Sequence, residues 1–538
     1  MIEKKTVTLT IRELFFYLFF AIMFGMRMWG IYEGKPLYGI LLVIGFVLWG
    51  ISMLMNEHTL LEYTVIACLM VVAVLVYINT GEKGLLLYFA LMLGMKGIDA
   101  KRLFKVGIAV GGLGMATLTF LASFGIIEDV AYVQERAVLG SVFRRSLGFP
   151  HPNTLSTSFT ILTMMTMYCI GKKDKRKVWK ATIILSICAA YIYLYTGSRT
   201  GIAITAGYLM LNLFYVYRNR LVIIEKVIVA TVIPVIWGIS VIVPQVLSQE
   251  ALLEFVRKDP TLAARWTVAN YYLTYNSVTP FGRRLINPEA EVDNIDMSQF
   301  YLYIQLGIIA FVIVTILWIA ILYDEMKNKK LSELVITVPL LAMGITDPFL
   351  YNQSFKNVAF AFMGVWLFGY LARIGFKLPD VLKKTIRLIP AGEKNLLIPD
   401  LAVSRQSSHR KTTIVMCLGV AVLVAASLVV YAKTPNPSLV LADRGMHEKS
   451  FEWGKGRTYI AEEIKAFEAD GNLVMNYTDE SETMYLFYTD MDNAVEGGIY
   501  APMLGIMEKL RKSVSIVFWG ICLWIAVSYL GRMMSDDK

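Results

Sequence analysis

The stretch "LYGILLVIGFVLWGISMLM" at residues 37–55 runs nineteen positions without one charged side chain. A helix rises 1.5 Å per residue, so nineteen residues come close to the roughly 30 Å hydrocarbon thickness of a bilayer. Its apolar residues surround the helix on all sides, where a helix half in water would confine them to one face. The flanking sequence repeats the pattern at 12–31 and 60–79. By the same rule the spans continue at 84–95, 103–125, 154–170, 179–197, 200–217, 222–247, 301–323, 331–350, 356–372, 413–431 and 514–531, fourteen in all. The fourth is short and the eleventh contains Pro339. Of the 538 residues 56% are hydrophobic and 17% charged, against roughly 45–50% and about 25% in soluble proteins. The expected fold class is an all-α polytopic membrane protein of about fourteen helices. That composition excludes disordered, collagen-like and ordinary cytosolic proteins.

The formal net charge of +10 raises the question of nucleic acid, and sorting the charges answers it. With the N-terminus inside, the cytoplasmic segments include Lys96–Arg102, "GKKDKRK" at 171–177, "YRNR" at 217–220, "DEMKNKK" at 324–330 and 373–411. The cytoplasmic side carries 30 Lys and Arg and the external side 21, nine of them in one long segment at 432–513. Long loops cross regardless of charge, so the excess is the positive-inside bias. Both termini are expected in the cytoplasm, and no nucleic-acid partner is expected. Cys68, Cys169, Cys188, Cys417 and Cys522 all fall in apolar blocks, with no CxxC and no zinc spacing. The first block lacks a small-residue cleavage site and reads as a retained span.

The expected organisation is a multi-span core over 1–372 with an external loop at 248–300 and a basic linker at 373–412. Two further spans in 413–538 flank the external segment 432–513. That segment opens on "AKTPNPS", then reads as a helical stretch, "RTYIAEEIKAFEAD", and two strands, "NLVMNYT" and "TMYLFYT". The linker holds no GxxxxGK[ST] and no GxGxxG, which leaves no cytosolic domain for a nucleotide, and it reads as a solvated basic segment near anionic lipid. Span centres are nearly free of ionisable residues, which counts against an ion-coupled transporter. Arg27 lies near the outer end of its span, where a long side chain snorkels.

The external boundary carries the chemistry. It presents "RRSLGFPHPN" (144–153), "TGSRTG" (196–201), "AARWTVANYYLTYNSVTPFGRR" (263–284), "EVDNIDMSQFYLYIQLG" (291–307) and "TDPFLYNQSFKN" (346–357). Arginine recurs there as Arg144, Arg145, Arg199, Arg257, Arg265, Arg283 and Arg284, beside Asp293, Asp296 and Asp347. Guanidinium binds phosphate bidentately and stays charged at any relevant pH, so such a cluster suits an anionic lipid head group. A neighbouring carboxylate is placed to act as general base towards a hydroxyl. Each motif also has a purely structural explanation. Asn153 and Pro152 suit a helix start, Gly197 and Gly201 suit a tight turn, His151 suits a structural role, and Asp293–Asn294 suits a cap. The Gly107–Gly111 pair, with Gly112 and Gly114, suits close helix packing.

In their order these residues resemble the O-antigen ligase/polymerase family of bacterial polysaccharide enzymes. "GFPHPN" opens a span, "TGSRTG" forms a turn two spans later, and "RWTVA…PFG" lies in a large external loop. "DN" then precedes a span reading "YLYIQLGIIAF", and the likeness covers roughly 140–370. The resemblance implies a glycosyltransferase of the bacterial inner membrane that uses no metal or other cofactor. It would transfer glycan from an undecaprenyl-diphosphate carrier on the outer face. It implies that Arg145, Arg199 and Arg265 hold the donor, joined at the same boundary by Arg284 and Asp347. Asp293 or His151 would be the base, and Asn153 would position its loop. Implied partners are the lipid-linked donor and acceptor, membrane lipids, a flippase and a chain-length regulator.

Two departures matter. Some ligases of the family carry a histidine just before the span that follows the large loop, where this chain reads "DNIDMSQF" (293–300). That favours a repeat-unit polymerase over a ligase. An arginine followed by ten residues and a glycine, found in some polymerases, is absent at Arg136, Arg144, Arg145, Arg257 and Arg265. The segment 432–513 and its final span add to the family outline and suit a partner- or glycan-binding module. Three functions stay open on sequence: polymerase, ligase, and a flippase or exporter. A flippase would present cations within its spans.

Overall fold

The computed structural model describes residues 6–127, 129, 131–136, 140–258, 260–288, 295–375, 379–389, 396–399, 409–433, 440–443, 473–478, 484–488, 499–500 and 502–536. Helices dominate. In chain order they are α1 (Ile11–Met28), α2 (Pro36–Met55), α3 (Leu60–Thr80), α4 (Gly84–Gly94), α5 (Ala100–Ser123), α6 (Pro152–Ile170), α7 (Lys175–Thr196), α8 (Arg199–Val216) and α9 (Ile223–Trp237). They continue as α10 (Val243–Val246), α11 (Gln249–Lys258), α12 (Pro260–Tyr275), α13 (Ser298–Ile304), α14 (Ile308–Lys327) and α15 (Leu331–Met343). The last are α16 (Ala359–Gly375), α17 (Asp380–Lys383), α18 (His409–Lys433) and α19 (Pro502–Asp536).

Among the described residues seven segments are long and apolar enough to cross a membrane: α2, α3, α5, α7, Ile223–Val246, α14 and Lys509–Val527 within α19. Four shorter apolar segments accompany them: α4, α15, α16 and Gly419–Lys433 within α18. Large apolar side chains stand outward along these helices, as Ile40, Val43 and Val47 do on α2 at 55–63% exposure. In water such a surface would be an aggregation hazard; in lipid it is the solvated face. The chain is a multi-pass membrane protein by this measure.

Local chemistry sets the helix ends. Thr10 with Glu13 and Thr59 with Glu62 form capping boxes at the starts of α1 and α3. Gly81, at φ 81°, ends α3 in the left-handed conformation that glycine adopts freely. Pro234 and Pro244 each lack an amide donor, and between them the ladder loosens into a π-helical turn at Gly238–Ile242.

The chain divides into two compact units. The first comprises Met1–Met115, Ser158–Ser186 and Thr200–Ala402. In its core the glycines of α5 admit close packing: a Cβ on Gly111 would lie 2.6 Å from Phe24, and one on Gly114 would lie 2.7 Å from Trp29. Gly112 faces open space instead. Two small ribbons belong to this unit. β1 (Thr6–Leu9) pairs antiparallel with β6 (Leu396–Pro399), and β2 (His58–Thr59) with β5 (Thr385–Ile386).

The second unit comprises Ala116–Thr157, Ile187–Arg199 and Val403–Lys538. It holds the hairpin β3 (Ala131–Arg136) and β4 (Gly140–Arg145). It also holds a four-stranded antiparallel sheet in the order β10 (Ile499–Tyr500), β7 (Val440–Asp443), β9 (Met484–Tyr488), β8 (Leu473–Thr478). α18 packs along α19. Tyr191 of α7 stacks on Phe518 of α19 with ring centroids 4.0 Å apart.

Several expectations change. The fourth apolar stretch forms an eleven-residue helix, α4, about 16 Å long at 1.5 Å per residue. The tenth stretch breaks at Gly307 into α13 and α14. The eleventh ends at Met343 instead of running to 350. The final helix begins at Pro502, twelve residues early. The expected strands near 472–489 are present as β8 and β9, while the expected helical stretch at 457–470 lies outside the described residues. The basic linker is not wholly solvated. β5 is paired, Arg387 Nη2 lies 2.6 Å from Glu57 Oε1, and the Ile389 amide donates to Leu54 O at 3.1 Å. Arg27 does not snorkel. It is 1% exposed, and its guanidinium donates to Gln353 O, Met23 O and Tyr38 Oη.

Candidate functional site

In the first unit two glycine turns from distant motifs close on each other. Gly282 ends "PFG" and Gly307 ends "QLG", both at positive φ, 76° and 91°. The amides of Arg283, Ile308 and Ile309 donate to Gln305 O, Thr279 O and Pro280 O at 3.0–3.2 Å. A Cβ on Gly307 would lie 2.7 Å from Thr279 O and 2.8 Å from Pro280 O, and one on Gly282 would overlap Gln305 O. Only glycine fits either position. Asn276 closes the loop from inside: its Oδ1 accepts from the Ile286 amide at 2.7 Å and its Nδ2 donates to Ile286 O at 2.9 Å. Arg284 leaves this turn exposed to solvent. Gln305 Nε2 reaches Glu82 Oε1 at 2.9 Å.

The "RWTVAN" run divides its work by helix face. Trp266 Nε1 donates to Ile239 O and Asn270 Nδ2 to Pro244 O, at 2.9 and 3.0 Å. The π-helical turn and its prolines leave carbonyls without intrahelical donors, and these two side chains, one turn apart on α12, supply them. Arg265 instead pairs with Asp296 at 3.1 Å and lies 3.4 Å from Thr346 O. Asp347 caps the short helix Pro348–Leu350, accepting from the Phe349 amide at 3.1 Å. Its carbonyl accepts from Ser298 Oγ at 2.6 Å. Lys356, in the same turn, is 2% exposed. Burial pulls its ammonium down to about 8, with Asp347 pulling the other way.

In the second unit the arginines hold protein groups. Arg144 Nε donates to Thr196 O at 2.8 Å and its Nη2 to Asn153 Oδ1 at 2.6 Å. Arg145 Nε donates to Asp129 Oδ2 at 2.7 Å, and the other carboxylate oxygen accepts from Ser146 Oγ and the Gly148 amide. Arg511, 1% exposed, donates to Leu194 O and Tyr195 O. Three successive carbonyls at the C-terminus of α7 are thus taken by two cations, which also suits the negative end of the helix dipole. The Tyr195 ring meets both Arg145 and Arg511, each guanidinium about 5.5 Å from its centroid.

His151 sits just before α6, and its Nδ1 accepts from the Asn153 amide at 3.1 Å. The helix cap is therefore His151 and not Asn153. In the neutral ring this assigns the proton to Nε2, which leaves no second basic lone pair. Arg199 opens α8 and is exposed.

Seven of the eight candidate residues therefore fall into two groups. Arg145, His151, Asn153 and Arg199 belong to the second unit, and Arg265, Arg284 and Asp347 to the first. Asp293 lies outside the described residues. Sequence reading missed Arg511, Asp129 and Gln305. Arg511 had a signal, a cation three residues before an apolar run, but its assignment to the external segment hid it. No family model, curated protein or solved structure matches the chain. Among the described residues no group of His, Cys, Asp and Glu is arranged to hold a metal ion.

Proposed function

We propose that the chain polymerises lipid-linked oligosaccharide repeat units into a cell-surface polysaccharide, on the outer face of a bacterial inner membrane. It spans that membrane about fourteen times with both termini inside, and the loops bearing the motifs lie outside. A hydroxyl of the fresh repeat unit attacks the anomeric carbon of the growing chain. The bond from that carbon to the diphosphate oxygen breaks, the electron pair leaves with the undecaprenyl diphosphate, and the hydroxyl proton passes to Asp293. His151 takes the part of a hydrogen-bond donor. Guanidiniums offset the charge that develops on the leaving diphosphate.

The observation that carries this reading is the exposure of Arg199 and Arg284 in the motif turns. Exposed arginines on segments that the charge sorting assigns outside run against the positive-inside trend, and they are available to an anionic ligand. Arg265, steadied by Asp296, joins them as a donor-binding residue. The carbohydrate profile of a deletion strain tests the reading. Single lipid-linked repeat units are expected to accumulate. Accumulated long lipid-linked chains would make the protein a ligase, and an accumulation of units confined to the inner leaflet would make it a flippase.

A further inference from the structure

A cavity of about 200 Å³ opens in the first unit among α5, α6, α14, α15 and α16, and the proposed reaction makes no use of it. Its lining carries four carboxylates, on Asp99, Asp324, Glu325 and Glu333, against one lysine, Lys330. Most of these have partners. Lys330 Nζ is held by Asp324 at 2.8 Å, Tyr168 Oη donates to Glu333 Oε1 at 3.1 Å, and Asp99 Oδ1 accepts from the Lys101 amide at 2.7 Å. Glu325 differs. It is 1% exposed, its Oε1 accepts from Thr337 Oγ1 at 2.9 Å, and its Oε2 has no hydrogen-bond partner among the described residues.

A buried carboxylate oxygen without a donor is unfavourable by about 1–3 kcal/mol or more, so an N–H donor placed in the cavity has an acceptor waiting there. Aromatic side chains of Tyr168, Phe362 and Trp366 share the lining. Aromatic faces beside carboxylates are the surroundings in which an organic cation binds. The single unpartnered oxygen of Glu325 suits a directional N–H donor. Val365, another lining residue, is 42% exposed.

We propose that this cavity binds a primary ammonium group, carried by a small free amine or by an aminophospholipid head group. Glu325 Oε2 accepts from the ammonium, and the aromatic wall covers its remaining face. The inference is independent of the polymerase reading, since its test requires no polysaccharide.

The test uses the full chain in detergent and follows Tm against ethylammonium chloride, with tetramethylammonium chloride at equal ionic strength as control. Ethylammonium is expected to raise Tm saturably, and tetramethylammonium, which has no N–H and meets only the aromatic wall, to do so at least tenfold more weakly. Glu325→Gln is expected to weaken the ethylammonium response about tenfold or more. Trp366→Leu keeps every carboxylate and is expected to weaken it severalfold, which guards against an unstable Glu325→Gln protein. Native mass spectrometry from nanodiscs of phosphatidylethanolamine or phosphatidylcholine then separates the sources. Retained phosphatidylethanolamine that ethylammonium displaces assigns the lipid, and ethylammonium binding without lipid retention assigns the free amine. Equal responses to the two ammonium salts, or variants that respond as the parent does, overturn the proposal.

Discussion

The loop of the first unit and the boundary turns of the second reach order by opposite means. At Pro280–Gly282 and Gln305–Gly307 the backbone itself is the fastener: two glycines allow an approach that a Cβ would block, and amide–carbonyl bonds seal it. At Arg144–Asn153 and Leu194–Ser198 the fastener is charge, with guanidiniums on helix-terminal carbonyls and on Asp129. The contrast explains why arginine abundance alone overstates the binding surface. Arg144, Arg145 and Arg511 hold the protein together, whereas Arg199 and Arg284 stand exposed.

Gly282→Ala or Gly307→Ala strikes the first fastener, and the largest effect is expected there. Left-handed backbone at a non-glycine residue costs about 1–3 kcal/mol, and the overlap adds a further 1–3 kcal/mol or so. Size-exclusion profiles in detergent should lose most of the folded species; normal yield with full polymerisation would remove the glycine lock from the account. Arg284→Ala and Arg199→Ala are expected to leave the folded yield unchanged while lowering polymer output. One charged hydrogen bond to the diphosphate is worth about 1.5–3 kcal/mol, roughly ten- to a hundredfold in rate. A large fall in Tm for either variant would place it with the structural arginines instead.

Arg145→Ala and Asp129→Ala sharpen the second half of the contrast. Each is expected to destabilise the protein by about 1–3 kcal/mol. Because the two residues form one ion pair, the double variant should lose much less than the sum. Strictly additive losses would show that the two act separately. An effect confined to alkaline pH concerns Lys356. Its native pKa near 8 lies below its unfolded value, so between the two the unfolded chain binds the extra proton, and stability rises with pH across that window. Lys356→Met should flatten the rise in Tm above pH 8, and an unchanged slope would assign the pH dependence to other groups.

Much of the fold was legible because the bilayer imposes a simple rule: a long apolar run must satisfy its backbone internally, and a helix does so. The rule fails where a helix ends inside an apolar run. Gly307 sits between "YLYIQL" and "IIAF" with no charged residue to mark the break, and only the partner turn at Gly282 requires it. The hairpin β3–β4 escaped notice because a short polar stretch between spans looks like any loop. For the site, residue type and order identified the motif turns but not which arginines are spent internally. Arg145 and Arg199 look alike in sequence. Asp129, sixteen residues from Arg145, distinguishes them.

The central claim is that exposed external arginines serve polymerisation. The most direct test is the lipid-linked glycan profile of cells whose only copy carries Arg199→Ala and Arg284→Ala, with membrane abundance of the protein confirmed. Single repeat units without long chains are the predicted result; long chains at normal abundance would contradict it.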